Sequence, residues 1–364
     1  MGRGGTRILF AGGGTGGHVF PGVALAQRLK ADDPSAELFW LCTTRPFDAA
    51  QLVRAGIPYE ALPSPRWRGL RGFLAPFAGA LQASLRRLRD FRPQAVVGVG
   101  GYGTVPPALV ARTLGLPYVL LEQNIRPGKA NRLLAAGARR IYVQWPEARA
   151  AFPGCGSKTV FTGSPLRADL RRLPRAEALR RFGLPQDRPT VAVVGGSQGA
   201  EALNRGALAG LDGTASRLQV IHVAGSAAQA ESVRTAYAQR GARAAVVDFV
   251  KDMDALYSAA DLIVSRAGAM AIAEIAAFGV PAVLVPIPRS SGDHQRENAR
   301  AAARTGGAVL LEEGACLAGG LAPFYRTLVS GGGGFDNMRN RLGALARPDA
   351  AAAILADLRG ILTR

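Results

Sequence analysis

The sequence predicts an α/β protein with two Rossmann-like, doubly wound parallel sheets, and two observations lead to that prediction. Continuous apolar, β-rich runs recur along the chain with helix-like segments between them. This order is typical of parallel sheets that are covered by helices on both faces. A strand followed by a glycine turn occurs twice, at residues 10–17 and 193–199. Because the first strand of such a fold carries the turn that approaches phosphate, each glycine turn indicates the start of its own sheet.

The apolar runs that we expect to form strands fall into two groups. In the first half of the chain they are residues 7–11, 37–42, 95–99, 117–122, 139–143 and 159–162. In the second half they are residues 190–194, 219–223, 244–250, 261–265, 281–286 and 308–311. Helical periodicity predicts helices between them, for example over residues 23–30, 80–90 and 231–240.

These two groups predict two domains that face a cleft. A length of 364 residues fits two domains of moderate size. We place the N-terminal domain at residues 1–163 and the C-terminal domain at residues 164–340, with the junction at Gly163-Ser164-Pro165. Residues 341–364 form a C-terminal helical tail that could pack back on the N-terminal domain.

Composition and charge narrow the class of protein. Hydrophobic residues make up 48% of the chain, which is enough for a substantial core and excludes a disordered protein. The formal net charge of +19 suits an anionic partner. Most of the 45 basic residues are Arg, as GC-rich codon usage would produce, but codon usage does not explain their excess over the 26 acids. Since no nucleic-acid-binding motif accompanies the charge, we expect an anionic membrane surface or a diphosphate substrate instead.

Cysteine usage and hydropathy indicate the compartment. The three cysteines, Cys42, Cys155 and Cys316, are widely spaced and include no Cys-x-x-Cys pair. This pattern argues against a disulfide framework or a zinc site, and it favours a reducing compartment. No apolar run approaches the ~20 residues of a membrane-spanning helix. We therefore expect a soluble or peripheral protein.

The first glycine turn is the first candidate for chemistry. Gly12, Gly14 and Gly17 satisfy the G-x-G-x-x-G pattern, in which glycines let the backbone approach a phosphate at a helix N-terminus. A dinucleotide enzyme should carry an acid after its second strand, but this chain has Thr43-Thr44-Arg45 there. Arg45 keeps an NADP enzyme open as an alternative. His18 closes the turn and could accept a proton from an attacking hydroxyl or donate a hydrogen bond to a phosphate.

Two further constellations lie in the second half of the chain. Residues 195–199, Gly-Gly-Ser-Gln-Gly, form a second turn whose Ser197 hydroxyl and backbone amides suit a diphosphate. Because this turn lacks a Lys, it is not a nucleotide-hydrolysing P-loop.

Residues 265–269 precede a helix that carries Glu274. Its carboxylate can accept hydrogen bonds from both hydroxyls of a ribose. We expect Asp252 or Asp254 to begin a helix, and His222, inside an apolar strand, to be a core residue.

Residues 67–92 carry a stripe of bulky apolar side chains with Arg on either side. The stripe consists of Trp67, Leu70, Phe73, Leu74 and Phe77. An interfacial Trp with an apolar face and a basic rim is typical of a helix that docks on an anionic bilayer. The alternative is a core-facing helix whose arginines are solvated. We expect Pro76 to interrupt any single long helix over these residues.

In their order and spacing these motifs resemble one family nearly end to end. The segments that carry the resemblance are residues 13–22, 100–102, 122–124, 163–167, 195–200 with Asn204, 265–269 with Glu274, and Gln295 with Asn298. They are similar to the MurG family of glycosyltransferases, which add N-acetylglucosamine to the lipid-linked muramyl-pentapeptide of bacterial peptidoglycan. Leu121 departs from the family pattern, where His often precedes Glu-Gln-Asn, and Thr104 stands where Ser is common.

The resemblance implies a fold and a reaction. The fold is the GT-B arrangement of two Rossmann-like domains, with the acceptor and membrane sites in the N-terminal domain and UDP-N-acetylglucosamine bound mainly by the C-terminal one. The reaction is an inverting transfer to the 4-hydroxyl of undecaprenyl-diphospho-N-acetylmuramyl-pentapeptide, without a metal ion or other cofactor. The implied location is peripheral, on the cytoplasmic face of the bacterial inner membrane. Other cell-wall synthesis and division proteins are implied partners, and nucleic acid is not.

By motif position the resemblance also implies roles for individual residues. Arg167 and Ser197 would contact the diphosphate, Val250 the uracil through its backbone, and Glu274 the ribose. The sugar would be contacted by Asn124, Ala269, Met270, Ala271, Ile272, Ala273 and Gln295. Thr15, Gly16 and Gly17 would form the loop where donor and acceptor meet. His18 is the first candidate for the catalytic base and Glu122 the second.

Three alternatives stay open at this point. A related transferase could use the same donor and glycosylate another membrane lipid, such as diacylglycerol. A non-catalytic UDP-sugar-binding or scaffold protein would need damaged site residues, and the donor positions carry intact ones. An NADP oxidoreductase would show nicotinamide absorbance changes.

Overall fold

The structure is a computed structural model, and it describes residues 5–63, 69–196, 200–288, 291–331 and 333–363. Of residues 69–73 and 291 it describes the backbone. The chain divides into two compact units. Unit 1 comprises Met1–Ala168 and Arg347–Arg364, and unit 2 comprises Asp169–Ala346. Each unit is described by itself below.

Unit 1 is a parallel sheet of seven strands with helices between them. Its strands are β1 (Arg7–Gly12), β2 (Glu37–Thr43), β3 (Tyr59–Leu62), β4 (Ala95–Gly100), β5 (Tyr118–Glu122), β6 (Arg140–Val143) and β7 (Thr159–Phe161). Its helices are α1 (Gly16–Asp32), α2 (Pro46–Arg54), α3 (Gly69–Phe91), α4 (Val105–Thr113) and α5 (Lys129–Leu134). The strand order β3-β2-β1-β4-β5-β6-β7 reverses between β1 and β4, as in a doubly wound fold.

Unit 2 is a parallel sheet of six strands with the same winding. Its strands are β8 (Thr190–Val194), β9 (Gln219–Val223), β10 (Arg243–Val247), β11 (Leu262–Ser265), β12 (Ala282–Leu284) and β13 (Ala308–Leu310). Its helices are α6 (Arg175–Arg181), α7 (Glu201–Ala209), α8 (Ala227–Gln239), α9 (Met253–Ala259), α10 (Ala269–Phe278), α11 (His294–Arg304), α12 (Glu313–Leu317), α13 (Ala322–Val329) and α14 (Phe335–Gly343). The order β10-β9-β8-β11-β12-β13 reverses between β8 and β11.

The central strands form because their side chains are apolar on both faces. All six residues of β4 are buried, as are all five of β5 and of β9. Helices cover both faces of a parallel sheet, so such strands carry no polar face. The prediction of two doubly wound parallel-sheet α/β domains is confirmed.

A final helix, α15 (Ala350–Leu362), belongs to unit 1 although it follows unit 2 in the chain. Ile354, Leu355 and Leu358 lie in the same hydrophobic core as the strands of unit 1. Asp357 accepts hydrogen bonds from the Tyr142 hydroxyl at 2.9 Å and from Arg140 Nε at 3.0 Å. The last helix of the chain therefore completes the core that the first strand begins.

His222 is a core residue, as predicted. It is 0% exposed, and burial lowers the pKa of its imidazole to about 3. Its Nε2 lies 2.9 Å from Asn204 Oδ1 and its Nδ1 lies 2.8 Å from the Tyr237 hydroxyl. Because the Asn204 side-chain nitrogen donates to the Ala224 carbonyl, the Asn204 oxygen accepts, and the imidazole proton is on Nε2.

Three expectations about elements were wrong in detail. Tyr59–Leu62 forms a strand that the apolar runs do not include, because this edge strand leaves Tyr59 and Ala61 exposed and needs no continuous apolar run. The run predicted over residues 244–250 ends at Val247. Pro76 does not interrupt α3, which continues over 23 residues with Pro76 inside it. A single proline removes one backbone donor, and the other turns of this long helix keep theirs.

The cysteines and the lengths of the helices are two further features of the described chain. All three cysteines are free and buried. Across the ranges given above, no helix combines the length and the apolar character that a bilayer crossing requires.

Candidate active site

The predicted catalytic and substrate-binding residues that the structure describes lie near the carboxyl ends of the strands in both units. In unit 1 the glycine turn follows β1, and Glu122 ends β5. In unit 2 Val250 follows β10, and Ala269 follows β11. Open α/β sheets bind ligands at this edge, next to the point where the strand order reverses.

The glycine turn after β1 has a backbone conformation that favours glycine, and hydrogen bonds hold it in place. Gly12, Gly13 and Gly14 all have positive φ, at 117°, 144° and 96°. The Gly12 carbonyl accepts a hydrogen bond from Trp40 Nε1 at 3.0 Å, and Gly13 N–H donates to the Gly100 carbonyl at 3.2 Å. A Cβ on Gly12 would lie 2.3 Å from the Gly100 oxygen, so a side chain at this position would break the turn.

His18 lies against this turn in a defined orientation. Its Nδ1 is 3.1 Å from the Gly13 carbonyl oxygen and 3.3 Å from Thr15 Oγ1. A carbonyl oxygen only accepts, so in this contact the imidazole carries its proton on Nδ1, and the Nε2 atom is the basic one. The ring packs against Gly100, where an added Cβ would lie 2.8 Å from His18 Cδ2. The turn therefore fixes both the tautomer and the plane of the ring.

Thr15, Gly16 and Gly17 form the start of α1. Thr15 is the exposed N-cap residue with an extended backbone, and Gly16 and Gly17 are the first helical residues. Amides in the first turn of a helix have no partner within the helix, and the helix dipole favours negative charge there. This end of α1 is therefore suited to a phosphate group.

Glu122 is buried at the end of β5 and accepts four hydrogen bonds. Oε1 accepts from the backbone and side-chain nitrogens of Asn124 at 3.0 and 3.2 Å. Oε2 accepts from Gly128 N–H and Asn131 Nδ2, both at 2.9 Å. Burial raises the pKa of Glu122 above its ordinary value, although the four donors act in the opposite direction. These contacts order the loop over residues 122–128 and orient Asn124.

Arg167 belongs to unit 1 and lies beside α1. Its guanidinium carbon is 5.1 Å from the centroid of the Phe20 ring. Phe20 in turn contacts Phe47 of α2 edge to face, with ring centroids 6.0 Å apart. A guanidinium on an aromatic face keeps its charge and its donors while its plane is fixed.

In unit 2, Glu274 lies in the second turn of α10 and is mostly buried, 8% exposed. The Tyr257 hydroxyl donates to Glu274 Oε2 at 2.8 Å, and the Tyr257 ring packs against Phe278. Tyr257, a residue that the sequence did not single out, therefore orients the carboxylate predicted to bind ribose.

The other predicted donor-binding residues surround the same end of the sheet in unit 2. Ala269, Met270 and Ile272 are buried at the start of α10, and Ala271 and Ala273 are partly exposed. Val250 is buried in the loop after β10, next to Phe249, which is 55% exposed. Gln295 Oε1 accepts from Ile287 N–H at 3.0 Å, so this side chain also holds the loop after β12. Ser197 lies outside the described residues.

The predicted membrane stripe is described in part. Trp67 lies outside the described residues, and for Leu70 and Phe73 the backbone alone is described, within α3. Leu74 is 51% exposed, and Phe77 is partly exposed. The inward face of this helix carries Ala80, Ser84 and Leu88, all buried.

Two arginines beside the stripe have acidic partners. Arg86 and Arg87 both pair with Glu60 of β3, each at 2.7 Å. Arg87 also lies over the Phe39 ring, 4.3 Å from its centroid.

Two polar residues of the candidate site make contacts that the sequence reasoning did not predict. Asp48 of α2 is fully buried and contacts the glycine turn at Gly14. Arg266 donates to the Val285 and Pro286 carbonyls and pairs with Glu313 of α12. The start of α2 could have been recognised from Pro46 followed by an acid, which is a helix N-terminal pattern. The contacts of both side chains are tertiary, and no local pattern indicates them.

Comparison with known proteins identifies both halves of the chain. Residues 8–143 match the glycosyltransferase family 28 N-terminal domain, and residues 190–325 match the glycosyltransferase family 28 C-terminal domain. This match decides in favour of a transferase over an NADP oxidoreductase.

Relatives and solved structures match nearly the whole chain. A protein of Symbiobacterium thermophilum named UDP-N-acetylglucosamine–N-acetylmuramyl-(pentapeptide) pyrophosphoryl-undecaprenol N-acetylglucosamine transferase is 36% identical, over 98% of this chain and 96% of the relative. A protein of the same name from Desulfotalea psychrophila is 38% identical, over 98% of this chain and 97% of the relative.

Among solved structures, Acinetobacter baumannii MurG superposes with a TM-score of 0.79 at 29% identity, covering 98% of this chain and 99% of that one. A UDP-GlcNAc 2-epimerase from Neisseria meningitidis superposes with a TM-score of 0.69 at 12% identity, covering 98% of this chain and 100% of that one, a likeness of fold alone. With its motifs in family order, identity above one third to full-length relatives and family 28 domains in both halves, the chain belongs to the MurG family of glycosyltransferases.

Proposed function

We propose that this chain transfers N-acetylglucosamine from UDP-N-acetylglucosamine to the 4-hydroxyl of undecaprenyl-diphospho-N-acetylmuramyl-pentapeptide, in peptidoglycan biosynthesis. The observation that carries the proposal is the nearly full-length relationship to transferases named for this donor and acceptor. Their names favour this acceptor over diacylglycerol.

In this proposal unit 2 binds the nucleotide of the donor. Glu274 accepts hydrogen bonds from the ribose hydroxyls. The hydrogen bond from Tyr257 supports this role because it fixes the carboxylate before the sugar nucleotide binds. The Val250 backbone meets the uracil. The diphosphate contacts Ser197. The sugar contacts the start of α10 and Gln295. Helix N-termini suit these groups because their amides donate to oxygen acceptors.

The reaction is a single displacement at the anomeric carbon of the donor sugar. The acceptor oxygen forms a bond to this carbon while the bond to the UDP oxygen breaks, and UDP leaves with the bonding electrons. His18 Nε2 takes the proton of the 4-hydroxyl, and solvent later removes it. Attack from the face opposite UDP inverts the configuration. The Nδ1 contact with Gly13 supports this role because it keeps the Nε2 lone pair available in the neutral ring.

Negative charge develops on UDP as the bond breaks, and the cationic groups of the site stabilise it. Arg167 contacts the diphosphate with a guanidinium already oriented by Phe20. Asn124 contacts the donor sugar from the loop that Glu122 orders. The amides of Gly16 and Gly17 contact the acceptor side of the reacting pair.

The acceptor is a membrane lipid, so the enzyme works at a membrane surface. We place it on the cytoplasmic face of the bacterial inner membrane as a peripheral protein. The stripe Trp67, Leu70, Phe73, Leu74 and Phe77 contacts the bilayer, and the exposed Leu74 supports this assignment.

A transfer assay tests the proposed function. Purified enzyme is given UDP-N-acetylglucosamine with either lipid-linked muramyl-pentapeptide or diacylglycerol in detergent, with a chelator present. We expect UDP release and a disaccharide product with the muramyl lipid, and neither with diacylglycerol.

Glu274→Ala tests the donor site. This variant should bind UDP-N-acetylglucosamine at least about tenfold more weakly, a loss of about 1.4 kcal/mol of binding free energy. Transfer to diacylglycerol without transfer to the muramyl lipid would refute the acceptor assignment.

A further inference from the structure

Asp48 is a buried carboxylate in the first turn of α2, beside the glycine turn. Oδ2 accepts from the Thr43 hydroxyl at 2.6 Å and from Thr43 N–H at 3.2 Å. Both carboxylate oxygens also lie within hydrogen-bonding distance of the Gly14 nitrogen, at 2.9 and 2.8 Å. A carboxylate can accept hydrogen bonds from all three donors at once. Burial of a carboxylate without such hydrogen bonds would cost free energy of folding.

The Gly14 N–H that Asp48 binds and the Gly13 carbonyl that His18 binds belong to the same peptide group. Asp48 accepts from the N–H end of this group, and His18 Nδ1 donates to its oxygen at 3.1 Å. The peptide group is planar and conjugated, so a charge at one end polarises the other. Asp48 and His18 are therefore connected through a single amide.

The contact on the carboxylate side depends on the absence of a side chain at position 13. A Cβ on Gly13 would lie 2.4 Å from Asp48 Oδ2. A Cβ on Gly101, on the other side of the turn, would lie 2.5 Å from the Gly13 oxygen. The carboxylate thus reaches the peptide because glycine leaves room for it, and Gly101, directly after β4, packs against the Gly13 oxygen.

We propose that Asp48 is a positioning residue for His18 and acts on it through the Gly13–Gly14 peptide. The carboxylate makes the Gly13 oxygen a stronger acceptor, which holds the imidazole proton on Nδ1 and keeps the lone pair on Nε2. The same interaction stabilises the imidazolium that forms when His18 takes the hydroxyl proton. Because His18 is the base only under the proposed function, this role of Asp48 rests on that function.

The tautomer of His18 tests the coupling without any turnover. In the full-length enzyme labelled with ¹⁵N-histidine, long-range ¹H–¹⁵N spectra distinguish Nδ1–H from Nε2–H. The chain has three histidines, so His18→Gln identifies the signals. We expect the neutral ring of His18 to carry its proton on Nδ1. A ring protonated on Nε2 would overturn the proposal even if the enzyme is active.

Asp48→Asn then tests whether the carboxylate causes this state. The amide is isosteric, but it has one acceptor oxygen and places an NH₂ group against either Gly14 N–H or Thr43 N–H. We expect a population of the Nε2–H tautomer to appear and kcat to fall at least about tenfold, since a general base contributes about 10²–10⁴-fold. The KM for UDP-N-acetylglucosamine should change by less than about threefold, because the nucleotide is bound by other residues.

Two control variants separate positioning from general destabilisation. Thr43→Val removes one donor to Asp48 and keeps the carboxylate contact with Gly14, so His18 should retain the Nδ1–H tautomer. Ile354→Ala destabilises the core of the same unit far from the turn in sequence, and kcat should stay near wild type below its melting temperature.

If Asp48→Asn loses stability as Ile354→Ala does but keeps the tautomer and kcat, Asp48 is only structural and the proposal is wrong. If the wild type transfers no sugar while the tautomer responds to Asp48→Asn, the proposed function fails and the coupling of Asp48 to His18 stands.

Discussion

At the scale of single residues, buried polar side chains hold the loops that carry the candidate active site. Asp48 binds the glycine turn, and Glu122 binds the loop over residues 122–128. In each case the buried group finds its partners in backbone amides or in side chains at the carboxyl end of the sheet. A buried polar group without partners costs about 1–3 kcal/mol, so each of these groups stabilises one conformation of its loop.

The buried His222 makes the stability of unit 2 depend on pH. Its pKa is lowered by burial from 6.5 to about 3 in the folded protein. As the pH falls below about 6.5, the unfolded state takes up a proton that the folded state does not. The free energy of unfolding therefore falls between pH 6.5 and about 3, by up to about 1.4 kcal/mol per pH unit.

Hydrogen exchange measured by mass spectrometry checks this expectation. Between pH 7.5 and 5.0, the amides of β9 and α8 should lose about 2 kcal/mol of protection after correction for intrinsic exchange rates. His222→Gln, which cannot take up a proton, should show a smaller loss over the same range. An equal loss in both proteins would assign the pH dependence to other groups.

Spacing in the sequence predicts the glycine turn and His18 as candidate site residues, because a phosphate-binding turn has a fixed pattern after a strand. It could not identify Asp48, whose partner Gly14 is 34 residues away. The same limit applies to Tyr257, 17 residues before Glu274. The residues proposed to bind a ligand follow local patterns, whereas the residues that orient them are specified by tertiary packing.

At the scale of elements, the C-terminal helix α15 closes the core of unit 1. Its side chains at Ile354, Leu355 and Leu358 are 0%, 2% and 3% exposed. Their spacing of one, three and four residues puts them on one face of the helix. On the same helix, Arg359 makes an ion pair with Asp32 of α1 at 3.1 Å, and its side chain is 53% exposed.

Truncation of this buried face should destabilise unit 1. Ile354→Ala should lower the free energy of unfolding by about 2–5 kcal/mol, because it removes methyl groups from a closed core. Tryptophan fluorescence during urea unfolding checks this, since Trp40, Trp67 and Trp145 all belong to unit 1. Arg359→Ala, on the same helix but in an exposed ion pair, should cost less than about 1 kcal/mol. A loss in Ile354→Ala no larger than in Arg359→Ala would contradict this role of the helix.

Helices and strands were predictable from the sequence where a single physical requirement determines the residue pattern. Buried parallel strands need apolar residues on both faces, so every apolar run taken from the sequence corresponds to a strand. The edge strand Tyr59–Leu62 has no such requirement and left no run. Pro76 shows the opposite case, in which a strong local signal against a helix is outweighed by the turns on either side of it.

At the scale of the whole molecule, a net charge of +19 accompanies the proposed membrane stripe, of which Leu74 is exposed and Phe77 partly exposed on α3. This net charge already counts Glu60, the shared acidic partner of Arg86 and Arg87. For the proposed membrane docking, we expect the excess of Arg to attract the protein to an anionic surface over a distance that salt screening sets, about 10 Å at 0.1 M ionic strength. We expect apolar contact then to hold the protein on the membrane, so the electrostatic and apolar contributions should respond differently to salt and to mutation.

Vesicle binding separates these contributions. The wild type should sediment with vesicles that contain anionic lipid, and less of it should do so at 1 M salt, where screening shortens the electrostatic range to about 3 Å. Leu70, Phe73 and Phe77 changed together to Ser should abolish binding at all salt concentrations, because charge alone does not anchor the protein. Val53→Ser is the control, since Val53 is 67% exposed on α2 of the same unit and outside the stripe. Circular dichroism establishes that each variant is folded, and vesicle binding by a folded triple variant would place the membrane contact on another surface.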